Sequence, residues 1–325
     1  DIAIIGTRWL LDYASQGVAL ALDGYLTPAF KDRFIAAFLE PSVIDGRTWG
    51  LPVAASARAM YVNKALLAEA GVDAIPATWE DLVAAARKVK ALGKAAYGFG
   101  LQGKEIETDA YWYYALWTHG GELIEGGRSG IGSPAAIRAA SLYRSMIEEG
   151  LTQPQPTGAN RQDVETLFKQ GRAAMILSGP WLRGQIAKEA PALDYAIVPI
   201  PKATRAATYG VTDSIMIFAS SKAPDLAFRF LADAAFAEKG RRAFTVQEGF
   251  LPVTKAEAAA PELQADAGLA AFIALLPDAR FAPLVPDWER MADITAAALQ
   301  RIYLGEVTPE QALPAAAARI DALLR

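Results

Sequence analysis

Three features of the sequence predict an α/β fold in two lobes. Short apolar runs of strand type alternate with longer helical stretches, which is the pattern of an α/β architecture. The strand-bearing regions fall into two groups separated by long helical insertions. The chain has 325 residues, 53% of them hydrophobic and 21% charged, enough to bury a sizeable core and favouring two domains over one.

The elements follow in order. Residues 1–5, DIAII, form an apolar run ended by Gly6 that reads as a strand buried on both faces. A helical stretch lies near Trp9 to Gln16. Asp45-Gly46 marks a turn, and Trp49, Leu51, Val53, Met60 and Tyr61 supply strand-type residues on either side of small residues at 54–59, which suits a strand whose neighbours press close. Lys64 to Ala70 reads as a helix closed by Gly71. Thr78 begins another as N-cap, with Asp81 in the capping-box place. "AAYGFGL" reads as a strand. Thr108 or Asp109 caps the aromatic helix "AYWYYALWTHGG", behind acidic Glu107 and Asp109. Tyr111, Trp112, Tyr113, Tyr114 and Trp117 cannot all share one helical face, which predicts that some are core and others exposed.

Helices follow at Pro134 to Glu149 and Arg161 to Gln170. The strand "AAMILSG" runs into a helix at Pro180-Trp181, where proline fits the first turn. "YAIVPIP" is another buried-strand pattern, and "GVTDSIMIFASSK" leads into an amphipathic helix over 224–236. The last third is mainly helical, with one helix ending at Gly305 and a final one starting at Thr308-Pro309.

Composition removes whole classes of function. Thirty-two Lys plus Arg against thirty-six Asp plus Glu give a net charge of −4 without basic runs, so nucleic acid is not an expected partner. With no cysteine and one histidine, His119, disulfides, thiolate zinc sites, Cys nucleophiles and most His-dependent triads are out, and neither cofactor nor metal is expected. No apolar run approaches the ~20 residues of a membrane-spanning helix, which predicts a soluble chain. "DIAIIGTRWL" lacks the regions of a signal peptide.

Several segments in order resemble the extracellular solute-binding proteins that feed sugar importers of the ABC class, in the carbohydrate-binding group that includes maltose-binding protein. They are "DGRTWGLPVAASARAMYVNKALLAEAGVDAIPATWEDLVAAARKV", "LWTHGGELI", "LFKQGRAAMILSGPWL", "YAIVPIPK", "GVTDSIMIFASSK", "GFLPVTK" and "YLGEVTPEQAL". The resemblance implies a two-lobe periplasmic-binding-protein-like fold, each lobe a sheet flanked by helices, with a hinge of crossover segments near Ala54 to Met60, Gly210 to Ser214 and Lys255 to Pro261. It assigns 1–56 and 210–256 to lobe one and 57–209 and 257–325 to lobe two. It further implies a binding protein, not an enzyme, that is monomeric and periplasmic or extracellular. Such a protein captures a sugar or sugar derivative in an interlobe cleft and hands it to a membrane permease. The resemblance also implies a strand, a long helix and a ligand-touching loop before the strand matched by DIAII, so either the sequence is incomplete at its amino end or lobe one is built around a gap filled by something else, such as a partner chain.

Sugar sites combine aromatic faces with polar groups that read hydroxyls. Thr7, Arg8 and Trp9 follow the first strand at its carboxyl end, where such folds place ligand contacts. They read equally as a capped helix with a surface arginine and a core tryptophan. Ser56 and Arg58 lie in the implied crossover, as ligand contacts or as hinge backbone. Tyr111 or Trp112 is favoured for the cleft against a core role, and Gly103 is included with the site. In "SGPW", Gly179 and Trp181 stand at the strand-to-helix junction where the cleft would open. Thr212 and Asp213 stand where the family often has glycines followed by an aromatic or a serine, implying contact through a hydroxyl and a carboxylate. Arg280 lies in the extended segment "DARFAPLVPDW" as a ligand contact or a surface ion pair, and Trp288 is a stacking face or a helix-start core residue. Arg8 and Arg280 together keep an anionic sugar derivative beside a neutral one. The alternatives are a glycoside-active enzyme, which needs two carboxylates across a sugar bond, or a binder of another polar solute on the same fold.

Overall fold

The computed structural model describes residues 1–104 and 108–325. The chain divides into two compact units, one made of Asp1–Ala57, Gly210–Leu276 and Phe281–Trp288, the other of Arg58–Tyr209, Pro277–Arg280 and Glu289–Arg325.

Unit 1 is built on a three-stranded antiparallel sheet with Val211–Ile217 between Ile2–Gly6 and Leu51–Ser56. Alternation along the central strand decides what each face buries. Ile215 and Ile217 join Leu22, Phe34, Leu51, Val53, Leu231 and Phe236 on one side. Met216 joins Ile5, Leu10, Ala19 and Ile44 on the other. The opening strand is not buried on both faces as its apolar run suggests: Ile5 is buried, but Ile4 is 58% exposed. It is an outer strand, paired among the described residues with Val211–Ile217 alone, so alternate side chains look outward.

The Asp45-Gly46 turn joins Val43–Ile44 to Arg47–Thr48, and both residues have positive φ (51° and 74°), as a two-residue hairpin turn of this hand requires. The amphipathic stretch at 224–236 is not one regular helix. An α-helix over Pro224–Phe230 widens into a π-helical turn over Leu231–Ala235. The Phe236 N–H donates to the Leu231 carbonyl at 2.8 Å, five residues back. The wider turn lets Leu231 and Phe236, both fully buried, reach the same core.

Unit 1 also keeps the chain beyond residue 256, further than the implied crossover near Lys255 to Pro261. Glu257, fully buried, anchors the start of that stretch. Its carboxylate accepts from Thr245 Oγ1 at 2.7 Å, Thr254 Oγ1 at 2.8 Å and Thr254 N at 3.0 Å, and pairs with Arg241 Nη2 at 3.1 Å. It thereby ties the short helix Lys255–Ala258 to the helix Glu238–Glu248.

Unit 2 holds a four-stranded sheet in the order Tyr195–Val198, Ala59–Asn63, Ala173–Ser178, Tyr97–Gly100. Ala59–Asn63 runs antiparallel to both neighbours, and Tyr97–Gly100 parallel to Ala173–Ser178. Tyr195–Val198 is an outer strand with half-buried residues, not the buried strand its composition suggests. Asn63 ends its strand and starts the next helix: its side chain accepts from Leu66 N at 3.0 Å, capping Lys64–Glu69. Thr78 and Asp81 form the expected capping box on Trp79–Ala91.

That helix presses directly on the strand Tyr97–Gly100, because a Cβ at Gly98 would stand 2.3 Å from Ala86 Cβ and 2.4 Å from its Cα. Neither atom is at the end of a flexible side chain. Gly98→Ala is therefore expected to lower stability by about 1–3 kcal/mol through overpacking. An unchanged denaturation midpoint would contradict this contact.

The aromatic helix Thr108–Thr118 departs from expectation more sharply. Tyr111, Trp112, Tyr113, Tyr114 and Trp117 are all at most 2% exposed. A helix apolar on every side is buried on every side, and Tyr113, Tyr114 and Trp117 gather round Tyr209 with ring centroids 5.5–6.5 Å apart. Glu107 lies outside the described residues. Among the described residues no helix is long and apolar enough to cross a membrane.

Candidate ligand-binding site

Strand direction sets the site of unit 2. Tyr97–Gly100, Ala173–Ser178 and Tyr195–Val198 run the same way, so their carboxyl ends lie along one edge of the sheet, where Ala59 opens its own strand opposite Ser178. That edge is where an open α/β sheet presents ligand contacts. It gathers Gly103, Gly179 and Trp181 of the expected residues, together with Arg58. A Cβ at Gly103 would stand 2.8 Å from the Pro156 carbonyl oxygen, which explains the glycine by backbone packing. Its own carbonyl accepts from Gln300 Nε2 at 2.9 Å.

Trp181 is the centre of this edge. It is the first residue of the helix Trp181–Glu189, and its indole folds back over Gly179, where a Cβ would fall 2.2 Å from the ring. Only glycine leaves room for that rotamer. The Tyr61 hydroxyl donates to the Gly179 carbonyl at 2.7 Å and fixes the backbone beneath. Burial pushes the Tyr61 phenol well above its ordinary range, partly offset by the nearby Arg183 charge, so it remains a hydroxyl donor.

Three further groups hold the indole. Its Nε1 donates to Glu165 Oε1 at 2.9 Å. The same oxygen accepts from Ser178 Oγ at 2.6 Å and from Arg161 Nη1 at 3.3 Å. The guanidinium carbons of Arg58 and Arg161 lie 4.6 and 4.8 Å from the centre of the Trp181 ring, within cation–π range. Arg58 is itself fixed through its backbone, since its N–H donates to Thr208 Oγ1 at 3.0 Å and its carbonyl accepts from that hydroxyl at 2.6 Å. The half-buried indole thus combines an aromatic ring with two planar guanidiniums held over it.

Gly179→Ala is expected to displace the indole while leaving the sheet intact. A fluorescence change confined to Trp181, with unaltered far-ultraviolet dichroism, is the predicted outcome. An unmoved Trp181 signal would contradict the packing described.

Unit 1 gathers a second set of expected residues. Gly6 pairs with Asp213, Asp213 with Ala54, Thr212 with Ala55, and Ser56 with Val211. Thr7, Ser56, Thr212 and Asp213 thus share the edge at which Ile2–Gly6 and Leu51–Ser56 end. Thr7 Oγ1 lies 2.7 Å from Ser214 Oγ, which lies 2.8 Å from Ser42 Oγ, making a buried hydroxyl chain. The register slips between Asp213 and Ser214, leaving Asp213 half-buried. Arg8 and Trp9 follow Thr7 in a 3₁₀ turn, the Arg8 guanidinium 5.8 Å from the Trp9 ring centre.

The remaining expected residues are placed differently. Tyr111 is buried, and its hydroxyl donates to the Leu177 carbonyl while its own carbonyl accepts from the Tyr143 hydroxyl at 2.9 Å. Trp112 is fully buried, with no hydrogen-bond partner for Nε1 among the described residues. Trp288 opens the helix Trp288–Tyr303 and is 3% exposed, which fits the helix-start core alternative. Arg280 forms the ion pair: Nη1 lies 2.9 and 2.8 Å from the two Glu122 oxygens, and Arg205 Nη2 reaches the same carboxylate at 2.8 Å. Since Arg205 also donates to the Trp117 and Gly121 carbonyls, Glu122 keeps a fixed partner without Arg280. Arg280→Ala is therefore expected to cost about 0–1 kcal/mol of stability, as an exposed pair does. A loss above 2 kcal/mol would contradict that placement.

Sequence reasoning missed Glu165 and Arg161. The available signal is position: Glu165 sits between Val164 and Phe168 on the buried face of Arg161–Lys169, and a carboxylate there requires donors.

Residues 1–239 match the family described as bacterial extracellular solute-binding protein. The chain belongs to this family. A Brucella abortus protein named only as a binding protein is 54% identical over 328 residues, covering 100% of this chain and 80% of that one. The galactooligosaccharide-binding protein of Bacillus subtilis is 25% identical over 301 residues, covering 88% and 68%. Among solved structures, a solute-binding protein of Thermotoga lettingae bound with alpha-D-tagatose superposes with TM-score 0.91 at 23% identity, covering 100% of this chain and 85% of that chain. Maltose-bound MalE3 of T. maritima gives 0.89 at 22%, covering 99% and 84%. This solute-binding protein accordingly has the two-lobe α/β fold the sequence implies, and its family is one of binding proteins rather than enzymes.

Proposed function

We propose that this solute-binding protein captures a neutral mono- or oligosaccharide and delivers it to a membrane permease of an ABC importer. The Trp181 arrangement carries the reading: a ring fixed at 2.9 Å through Glu165, with guanidiniums 4.6 and 4.8 Å from its centre. A pyranose has apolar C–H faces that suit an indole and vicinal hydroxyls that suit a fork of N–H donors. The relatives named for galacto-oligosaccharide, maltodextrin and arabino-oligosaccharide binding support a carbohydrate.

Neutrality is favoured because two arginines that would draw an anion each pair with a carboxylate within unit 2, Arg280 with the Glu122 that it shares with Arg205 and Arg161 with Glu165. The anionic alternative kept by Arg8 with Arg280 has less support, because Arg280 pairs with Glu122. A thermal-shift screen over neutral sugars and sugar acids tests the proposal, since ligand at a hundredfold its Kd adds about 2.7 kcal/mol to the folded state. Neutral sugars are expected to raise the melting temperature. A response to sugar acids alone, or to no sugar, would overturn the reading.

A further inference from the structure

We infer that Glu165 is the positioning and specificity-determining residue of the Trp181 site: its carboxylate fixes the indole and matches guanidinium charge, biasing the site toward neutral over acidic sugars. The sugar preference rests on the proposed function; the positioning and the charge do not.

Glu165 is 1% exposed, and one of its oxygens accepts from three elements at once. Ser178 Oγ donates from the strand end at 2.6 Å, Trp181 Nε1 from the next helix at 2.9 Å, and Arg161 Nη1 from one turn earlier on its own helix at 3.3 Å. A buried carboxylate needs such hydrogen-bond and ionic partners, and here they surround the Trp181 ring. The indole N–H is consumed by Glu165, so Trp181 offers a ligand its ring and not its donor. Arg161 is held over that ring by the same contact. Removing the negative charge while keeping an acceptor should leave the ring in place and make its surroundings more positive.

Two variants separate these roles. Glu165→Gln keeps an acceptor oxygen and loses the charge; Glu165→Leu loses both. Each is compared, free of sugar, with the same protein carrying Trp181→Phe, so that the difference isolates Trp181 from the other tryptophans. Glu165→Leu is expected to shift Trp181 emission to the red and at least double its quenching by neutral acrylamide, with Glu165→Gln close to the parent. An unmoved Trp181 signal in Glu165→Leu would overturn the positioning. Glu165→Gln is expected to raise iodide quenching relative to acrylamide at least twofold, because removing the carboxylate charge makes the surroundings of the ring more positive. An unchanged ratio would overturn the charge role.

Calorimetry with galactose, maltose and galactobiose against galacturonic and digalacturonic acids then measures the consequence. The acidic-to-neutral affinity ratio is expected to rise at least tenfold in Glu165→Gln, and an unchanged ratio would overturn the specificity role. If the parent binds none of these sugars while the quenching changes occur, the carbohydrate reading fails along with the sugar preference, and the positioning and charge roles stand.

Discussion

Glu257→Ala is expected to destabilise the protein by about 3–5 kcal/mol, the range for breaking a buried ion pair on one side. Arg241 is 2% exposed, and its guanidinium lies between 5 and 6 Å from the ring centres of Phe244 (5.1 Å) and Phe236 (5.7 Å). Without Glu257 that charge stays buried without the carboxylate 3.1 Å away, and the Thr254 and Thr245 hydroxyls lose their acceptor. Burial already pulls the Arg241 pKa below its ordinary value, with Glu257 pushing the other way. The loss is read in chemical denaturation. Glu257→Gln keeps one acceptor oxygen, for Thr254 or for Thr245 but not both, and should fall between alanine and the parent. A loss under 1 kcal/mol for alanine would show that the 253–258 segment is held by other contacts.

The second large effect is on binding. Trp181→Ala is expected to weaken affinity for the captured sugar by thirtyfold or more, since a tryptophan anchoring a site commonly carries 2 kcal/mol or above. Truncation also removes the indole donor to Glu165, which keeps Ser178 and Arg161. Stability and secondary structure should change little by comparison, because the indole is only half-buried. Calorimetry with the sugar selected by thermal shift measures the effect. Affinity within threefold of the parent would remove Trp181 from the site.

The fold was legible where local chemistry decides it. The Thr78–Asp81 box, the Asp45-Gly46 turn and the "AAMILSG" strand all appear where residue type and spacing place them. Where tertiary surroundings decide, the reading erred. Apolar runs at 1–5 and 195–198 proved to be outer strands, because composition does not say how many neighbours a strand has. The five aromatics of Thr108–Thr118 are all buried, because a helix can be enclosed on every side.

The site divides the same way. The placement of Gly179 and Trp181 between strand and helix was legible from the strand-Gly-Pro-Trp junction. Arg280 was legible as an extended-segment arginine, but its partner Glu122 lies 158 residues away in sequence, beyond the reach of local pattern. Glu165 was hidden because a glutamate inside a helix ordinarily faces water; only its neighbours Val164 and Phe168 mark the face as buried.

The most direct test of the central claim is a crystal structure of the protein with the sugar that raises its melting temperature most. Sugar ring carbons should lie within about 4.5 Å of the Trp181 indole, and a sugar hydroxyl within about 3.2 Å of the Arg58 or Arg161 guanidinium. A sugar seated with no atom against Trp181 would contradict the account.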